Sequence, residues 1–394
     1  MELNLKKFFT LIVITTPVLM MYKLGPLPMI TWMLLLWIVG YILFRLGVRC
    51  ESTCTVNTML FVFFVYSFIA SILQMIGKNN SDIDFNAFLN YHFCLLVVIF
   101  WATDWFEYKF GYIWMKRIAV FSTIYIYIQA FLYKMTGIVL SGYIPFFETE
   151  YMESSLKVIG GVAYRPTSIF SEPAGYGIYI ALFILLYINT ESEKNIPLLS
   201  FLCLGVALSQ SSAGLISLAY VFINYGFTKA LRKKIQRRNL LLGLALIVGI
   251  FLLKQFGYID LVLNHLFERK NGRILMASGL IQRIGNNSVA WQSLSTFEQK
   301  LFGVGFVNNE FSFLPGIIKL VFFYGIVGTA FFIILHVLLC KNLYVLGRKL
   351  IVFVFVLSFF SNTILGVQPI VYYPIIIATG KMHKKNMAVI EEKT

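Results

Sequence analysis

Apolar residues in this chain are gathered into runs of about twenty, each closed off by charged or turn-forming residues. That division constrains the fold more than any other feature, because about twenty residues wound as a helix cross roughly 30 Å of hydrocarbon. Composition agrees. A soluble domain has about 45–50% apolar and about 25% charged residues, whereas 59% are hydrophobic and 13% charged here, with mean hydropathy +0.78 over 394 residues. The expected fold is all-α: a polytopic helical membrane protein, with residues 1–394 forming a single integral membrane domain.

Spans fall near Phe8–Leu24, Leu27–Leu46, Thr58–Gly77, Ala87–Trp105, Ile118–Leu140 and Pro173–Thr190. The next stretch, Pro197 to Phe227, is about 30 residues and as one helix would be ~45 Å long, which overshoots the membrane. Its centre reads Ser209-Gln210-Ser211-Ser212-Ala213-Gly214. A single span would place the basic segment Lys229 to Arg238 on the side opposite to the other basic loops, against the positive-inside rule. Two shorter helices turning at Ser211–Gly214, with the tip on the outer side, restore it. Leu240–Phe256, Pro315–Cys340, Leu350–Gly366 and Pro369–Gly380 complete about 12 transmembrane helices, with both termini cytoplasmic.

The net charge of +15 is then largely topology. About two-thirds of the 33 Lys and Arg fall on the cytoplasmic side, where they meet anionic lipid. Nucleic acid is excluded as a partner. Phe8–Leu24 lacks a small-residue cleavage site and simply begins the membrane domain. Cys50 and Cys54 share an expected cytoplasmic loop, where disulfides are disfavoured. Neither the five cysteines nor the four histidines form a metal-binding pattern. No metal or cofactor is expected.

Two extracytoplasmic loops are long, 141–171 and 257–314, and loops of that size are uncommon unless functional or disordered. In the second, Ile259, Leu263, Leu266 and Phe267 recur at helical spacing and predict an amphipathic helix on the outer membrane surface. Continued through Arg283, it would put Arg269, Arg273 and Arg283 on one face along ~21 Å, too far for one diphosphate to meet all three. Either they serve different anionic groups, or the helix breaks at Asn271-Gly272. Snorkelling to lipid headgroups is the structural alternative for these arginines.

The first long loop ends in Tyr164-Arg165-Pro166-Thr167-Ser168-Ile169-Phe170-Ser171-Glu172-Pro173, which sets an Arg and a Glu just ahead of a long apolar helix. Charged side chains at the membrane edge mark functional sites by default. Against this stands helix capping, since Ser, then Glu in the first turn, then Pro form an ordinary helix start. Gly303-Val304-Gly305 invites a phosphate-loop reading, but no strand precedes it, and a turn allowing close backbone approach is the simpler account. Gly325-x-x-Gly328 reads as close helix packing.

Taken in order, Arg165…Ser171-Glu172-Pro173, Ser209-Gln210-Ser211-Ser212-Ala213-Gly214, Gln282-Arg283, Leu301-Phe302-Gly303-Val304-Gly305 and Gly325-Ile326-Val327-Gly328 resemble the Wzy-type polymerases of O-antigen, capsular and exopolysaccharide repeat units, over roughly Tyr164 to Leu339. Relatives often carry an Arg where this chain has Ser212. The resemblance implies a metal-independent glycosyltransferase in a bacterial cytoplasmic membrane. Donor and acceptor would be polyprenyl-diphosphate-linked oligosaccharides, and the partners a chain-length regulator and other polysaccharide-assembly proteins. A departing diphosphate needs cations and an attacking hydroxyl needs a base. Arg165 and Arg283 are the expected diphosphate-binding groups and Glu172 the expected base or sugar positioner. Arg269, Arg273, Gln282, Ser211, Ser212, Gly214, Gly303 and Gly305 are expected at the substrate. A flippase for lipid-linked oligosaccharide and a polysaccharide ligase are the alternatives.

Overall fold

The computed structural model describes residues 2–43, 55–76, 83–144, 147–149, 164–230, 267–270, 273–276, 287–307, 314–343, 345–361 and 369–379. It divides into two compact units, one of Met1–Trp114 with Arg283–Thr394 and one of Met115–Gln282.

In the first unit, α1 (Glu2–Leu19) is followed by a short antiparallel hairpin, β1 (Tyr22–Leu24) and β2 (Leu27–Pro28), and then α2 (Met29–Leu43). The expected first span is thus cut short: the helix stops at Leu19 and the last residues of Phe8–Leu24 pair as a strand. Then come α3 (Thr55–Met75) and α4 (Phe85–Trp105), the latter capped by the Asp84 carboxylate, which accepts the Ala87 N–H at 3.0 Å. Trp37, Tyr41, Trp101 and Trp105 pack, mostly edge to face, in a cluster with centroids 5.1–5.9 Å apart. After the second unit, the chain adds α9 (residues 287–293), α10 (Phe297–Phe302), α11 (Gly316–Asn342), α12 (Val345–Ser358) and α13 (Pro369–Thr379).

The longest of these, α11, is broken. Gly325 has φ 67° and ψ −170°, which interrupts the helical hydrogen bonds and releases carbonyls upstream. The Val304 and Gly305 N–H groups donate to the Phe322 and Phe323 carbonyls at 2.9 and 3.0 Å and so satisfy them. Gly303 and Gly305 also have positive φ, and a Cβ on Gly303 or Gly325 would run into the other's backbone segment. The Gly303-Val304-Gly305 turn therefore splints a helix break. Gly325 is that break rather than a helix-packing glycine; Gly328, against the Tyr66 ring, keeps the packing role.

The second unit begins inside α5 (Tyr108–Thr136) and continues with β3 (Glu148–Thr149), α6 (Pro173–Thr190), α7 (Ile196–Leu208), α8 (Ser212–Ala230) and the antiparallel pair β4 (Phe267–Lys270) and β5 (Arg273–Met276). Every residue of α6 from Tyr176 to Ile188 is buried, so α6 is the central helix of this unit, apolar all round as that position requires. The β4–β5 register sets Arg269 opposite Ile274 and Arg273 opposite Lys270. A continuous helix through Arg269 and Arg273, with both on one stripe, is thereby overturned. The two segments pair as antiparallel strands, and a strand pair has no 3.6-residue face.

Among the described residues, five helices are long and apolar enough to cross a membrane, Asn57–Met75, Phe85–Ala102, Tyr108–Thr136, Pro173–Thr190 and Gly316–Asn342, and four shorter apolar helices accompany them. Apolarity and burial are decoupled. The Asn57–Met75 window has mean hydropathy 1.9 yet is only 22% buried, and Leu36, Leu73, Phe121 and Phe131 are all more than half exposed. Apolar surface of this extent and helical arrangement belongs in hydrocarbon. The protein is a helical membrane protein. The expected span Leu240–Phe256 and the helix sought near Ile259–Leu266 lie outside the described residues.

Candidate functional site

In the second unit, the segment Tyr164–Ser171 is folded into the helices rather than lying over them. It begins at Tyr164, whose hydroxyl donates to the Leu140 carbonyl at 3.1 Å and whose ring packs on Tyr133. Burial pushes the Tyr164 phenol up to about 12, with Tyr125 adding to it, so it remains a neutral donor.

Ser168 is fully buried in the left-handed region, φ 56°. Two residues of α5 hold it there. The Gln129 side chain accepts the Ser168 N–H at 2.8 Å while donating to the Leu140 carbonyl at 2.9 Å, and the Ser168 hydroxyl donates to the Ser122 carbonyl at 2.7 Å. From this anchor the chain turns, with the Phe170 N–H on the Thr167 carbonyl, and the Phe170 ring packs on Tyr176 and Tyr179 of α6. Tyr176 is tied back to α5 through a 2.8 Å hydrogen bond between its hydroxyl and that of Thr123.

Helix α6 starts at Pro173, whose fixed φ and missing N–H suit the first helical position. Its N-cap is Glu172, extended at φ −142° and making no side-chain cap hydrogen bond. The capping account of Ser171-Glu172-Pro173 is therefore only half correct. Proline starts the helix, but Ser171 does not cap it and the exposed Glu172 carboxylate is not spent on it.

The turn between α7 and α8 lies at Ser209-Gln210-Ser211, one residue tighter and two residues earlier than the expected Ser211–Gly214. Gln210 closes α7 in the left-handed conformation, φ 52°, donating its N–H to the Ala207 carbonyl at 3.0 Å. Ser211 opens α8, its hydroxyl accepting the Gly214 N–H at 3.1 Å. Its hydroxyl is a cap, and Ser212 is the first helical residue, half-buried. Gly214 meets Gly177 of α6 so closely that a Cβ on Gly177 would sit 2.6 Å from the Gly214 Cα. Gly214 thus brings backbones together.

Two consequences follow from the Gly177–Gly214 crossing. Pro173 lies four residues and Ser212 two residues before it, about 6 Å and about 3 Å along their helices, so the N-terminal ends of α6 and α8 converge. Arg165 joins them: its guanidinium Nη2 donates to the Gln210 carbonyl at 3.1 Å, linking the Tyr164–Glu172 segment to the α7–α8 turn. Two helix N-termini and a guanidinium make one positive region, the arrangement that binds phosphate.

The other expected site residues do not all join it. Gln282 and Arg283 lie outside the described residues. Arg269 and Arg273 lie on the β4–β5 hairpin, and Gly303 and Gly305 belong to the first unit, where their backbone serves the α11 break. Ser122, Thr123, Gln129 and Gly177 are site-building residues that sequence reasoning missed. Gln129 carried a signal, a lone amide in the apolar run Ile118–Leu140. Among the described residues no three metal-ligating side chains gather. The chain matches no protein-family model and no curated protein. Fold and site together define a helical membrane protein with a cationic region where Arg165 meets the N-terminal ends of α6 and α8.

Proposed function

We propose that this protein is a membrane glycosyltransferase that polymerises polyprenyl-diphosphate-linked oligosaccharide repeat units, in a twelve-span topology with cytoplasmic termini. The observation that carries the reading is the convergence of Arg165 with the N-termini of α6 and α8, beside a Glu172 carboxylate not used as a helix cap. Departing diphosphate gains negative charge, and a guanidinium fork with two helix ends offers fixed donors to receive it. Glu172 accepts the proton of the attacking sugar hydroxyl.

Chain elongation on defined lipid-linked repeats tests this. Arg165→Lys keeps the charge and loses the fork, with an expected drop of about 10²–10³ in rate; Glu172→Gln is expected to lose about 10²–10⁴. Wild-type rates in both variants would overturn the assignment.

The break in α11 favours a second reading, since transporters use discontinuous helices at their binding sites. Here the carbonyls freed by the break are occupied by Val304 and Gly305, which argues for a splint over an ion site. Cells lacking the protein separate the readings. A polymerase leaves single lipid-linked repeats on the outer face, a flippase leaves them on the inner face, and a ligase leaves full-length, unattached polymer.

A further inference from the structure

Helices α11 and α12 of the first unit do not close on each other along their whole length. Between them lies a cavity of about 490 Å³, within the roughly 300–1,000 Å³ of small-molecule sites. Its apolar walls are Ile333, Val337, Ile351, Val352 and Phe355, with His336 and Cys340 of α11 between them. Val337 is 50% and Val352 40% exposed, so the trough opens sideways to the surroundings of the bundle, which along α11, apolar and of membrane-crossing length, is hydrocarbon.

One end is different. Lys341 and Arg348 line it there, eight residues or about 12 Å along α11 from Ile333. Arg348 is fixed at that end. Its Nε donates to the Leu343 carbonyl at 2.6 Å and Nη2 to the Lys341 carbonyl at 3.4 Å, which satisfies the end of α11. A guanidinium has five N–H donors, so its charge and further donors remain for another acceptor. Helix α12, 14 residues long, begins at Val345 beside them, and its N-terminal dipole adds positive potential at the same place.

We propose that this trough binds one anionic glycerophospholipid, its phosphate at Lys341 and Arg348 and one acyl chain along Ile333, Val337, Val352 and Phe355. The polarity of the site selects this occupant. A neutral lipid could fill the apolar part but leaves two cations and a helix N-terminus without a counter-charge. Free phosphate would meet the cations but leave the apolar walls empty. On the orientation expected from the basic loops, Lys341 and Arg348 face the cytoplasm, where anionic headgroups attract juxtamembrane cations. The proposal does not depend on the polymerase reading.

Native mass spectrometry of the full chain in neutral detergent, titrated with phosphatidylglycerol or phosphatidylcholine, tests it. Phosphatidylglycerol is expected to bind roughly tenfold or more tightly than phosphatidylcholine. Lys341→Gln should lose about fivefold of that, the ratio corresponding to about 1 kcal/mol per cation near a membrane surface. Val337→Trp should block the trough and abolish the preference with both cations intact. Both positions are exposed, and unchanged thermal unfolding of each variant confirms the fold. Equal binding of the two lipids overturns the proposal, as does unchanged binding in both variants. Displacement by millimolar inorganic phosphate would show an anion site alone, and displacement by equimolar polyprenyl phosphate a substrate-lipid site; either result also overturns it.

Discussion

Ser168 and Gln210 are the non-glycine residues with positive φ among the described residues, and both lie in the segments that Arg165 links. Such conformations cost about 1–3 kcal/mol each and persist where their surroundings over-determine them. For Ser168 the determinant is Gln129, so Gln129→Ala should lower stability by about 1–3 kcal/mol, leaving a buried N–H and a carbonyl unsatisfied. Thermal unfolding checks it; no change would mean that Ser168 is held by its hydroxyl alone. Tyr164 gives a pH signature. Its phenol is raised from 10.0 to about 12 in the fold, so the folded state holds the proton that the unfolded state releases. That stability is complete below about pH 10 and is lost as pH rises through about 12. Tyr164→Phe should flatten this alkaline limb of the unfolding profile. Arg165 and Glu172 were legible as candidates from charge beside an apolar run. Ser168 was not, because nothing in a Pro-Thr-Ser-Ile string announces a left-handed serine; its partners lie 39 and 46 residues away.

Elements meet at glycines here, and their roles diverge in ways that spacing cannot reveal. Gly177→Ala inserts a methyl into the α6–α8 crossing, where overpacking costs typically about 1–3 kcal/mol, and it should also spread the two helix ends that define the site. Elongation activity should fall along with the melting temperature; a stable, fully active variant would separate the site from the crossing. Gly325→Ala forces an alanine into a positive-φ, extended-ψ conformation open essentially to glycine, at roughly 1–3 kcal/mol, and a clash with the Leu301 carbonyl. It should lower thermal stability of the whole chain. The sequence placed Gly303-Val304-Gly305 correctly as a turn of close backbone approach, but took Gly325 for helix packing. That one caps the other needs the pairing of residues about twenty apart.

For the whole molecule, the consecutive helices α6, α7 and α8 follow the expected order of spans, with the Tyr164–Glu172 segment and the α7–α8 turn at the same end of the second unit. The topology therefore predicts opposite labelling at the two ends of α7. In a cysteine-free background, Ser212→Cys should react with an impermeant maleimide added outside intact cells. Lys194→Cys should react only after the membrane is opened. The reverse pattern would invert the orientation and put the proposed chemistry on the wrong face.

What the sequence by itself determined is the class: apolar runs of membrane length and a long apolar stretch that had to fold into two helices. These follow from local composition, because the cost of burying backbone and charge in hydrocarbon is set residue by residue. Only the tertiary structure decided which polar and small residues serve the fold itself. Ser211 became a cap, Gly214 a contact, Gly303 and Gly305 a splint, and Gln129 the anchor of the site. Each of those roles depends on a backbone partner distant in the sequence or on a cap geometry that composition does not specify, whereas hydrophobic length is written in the chain itself.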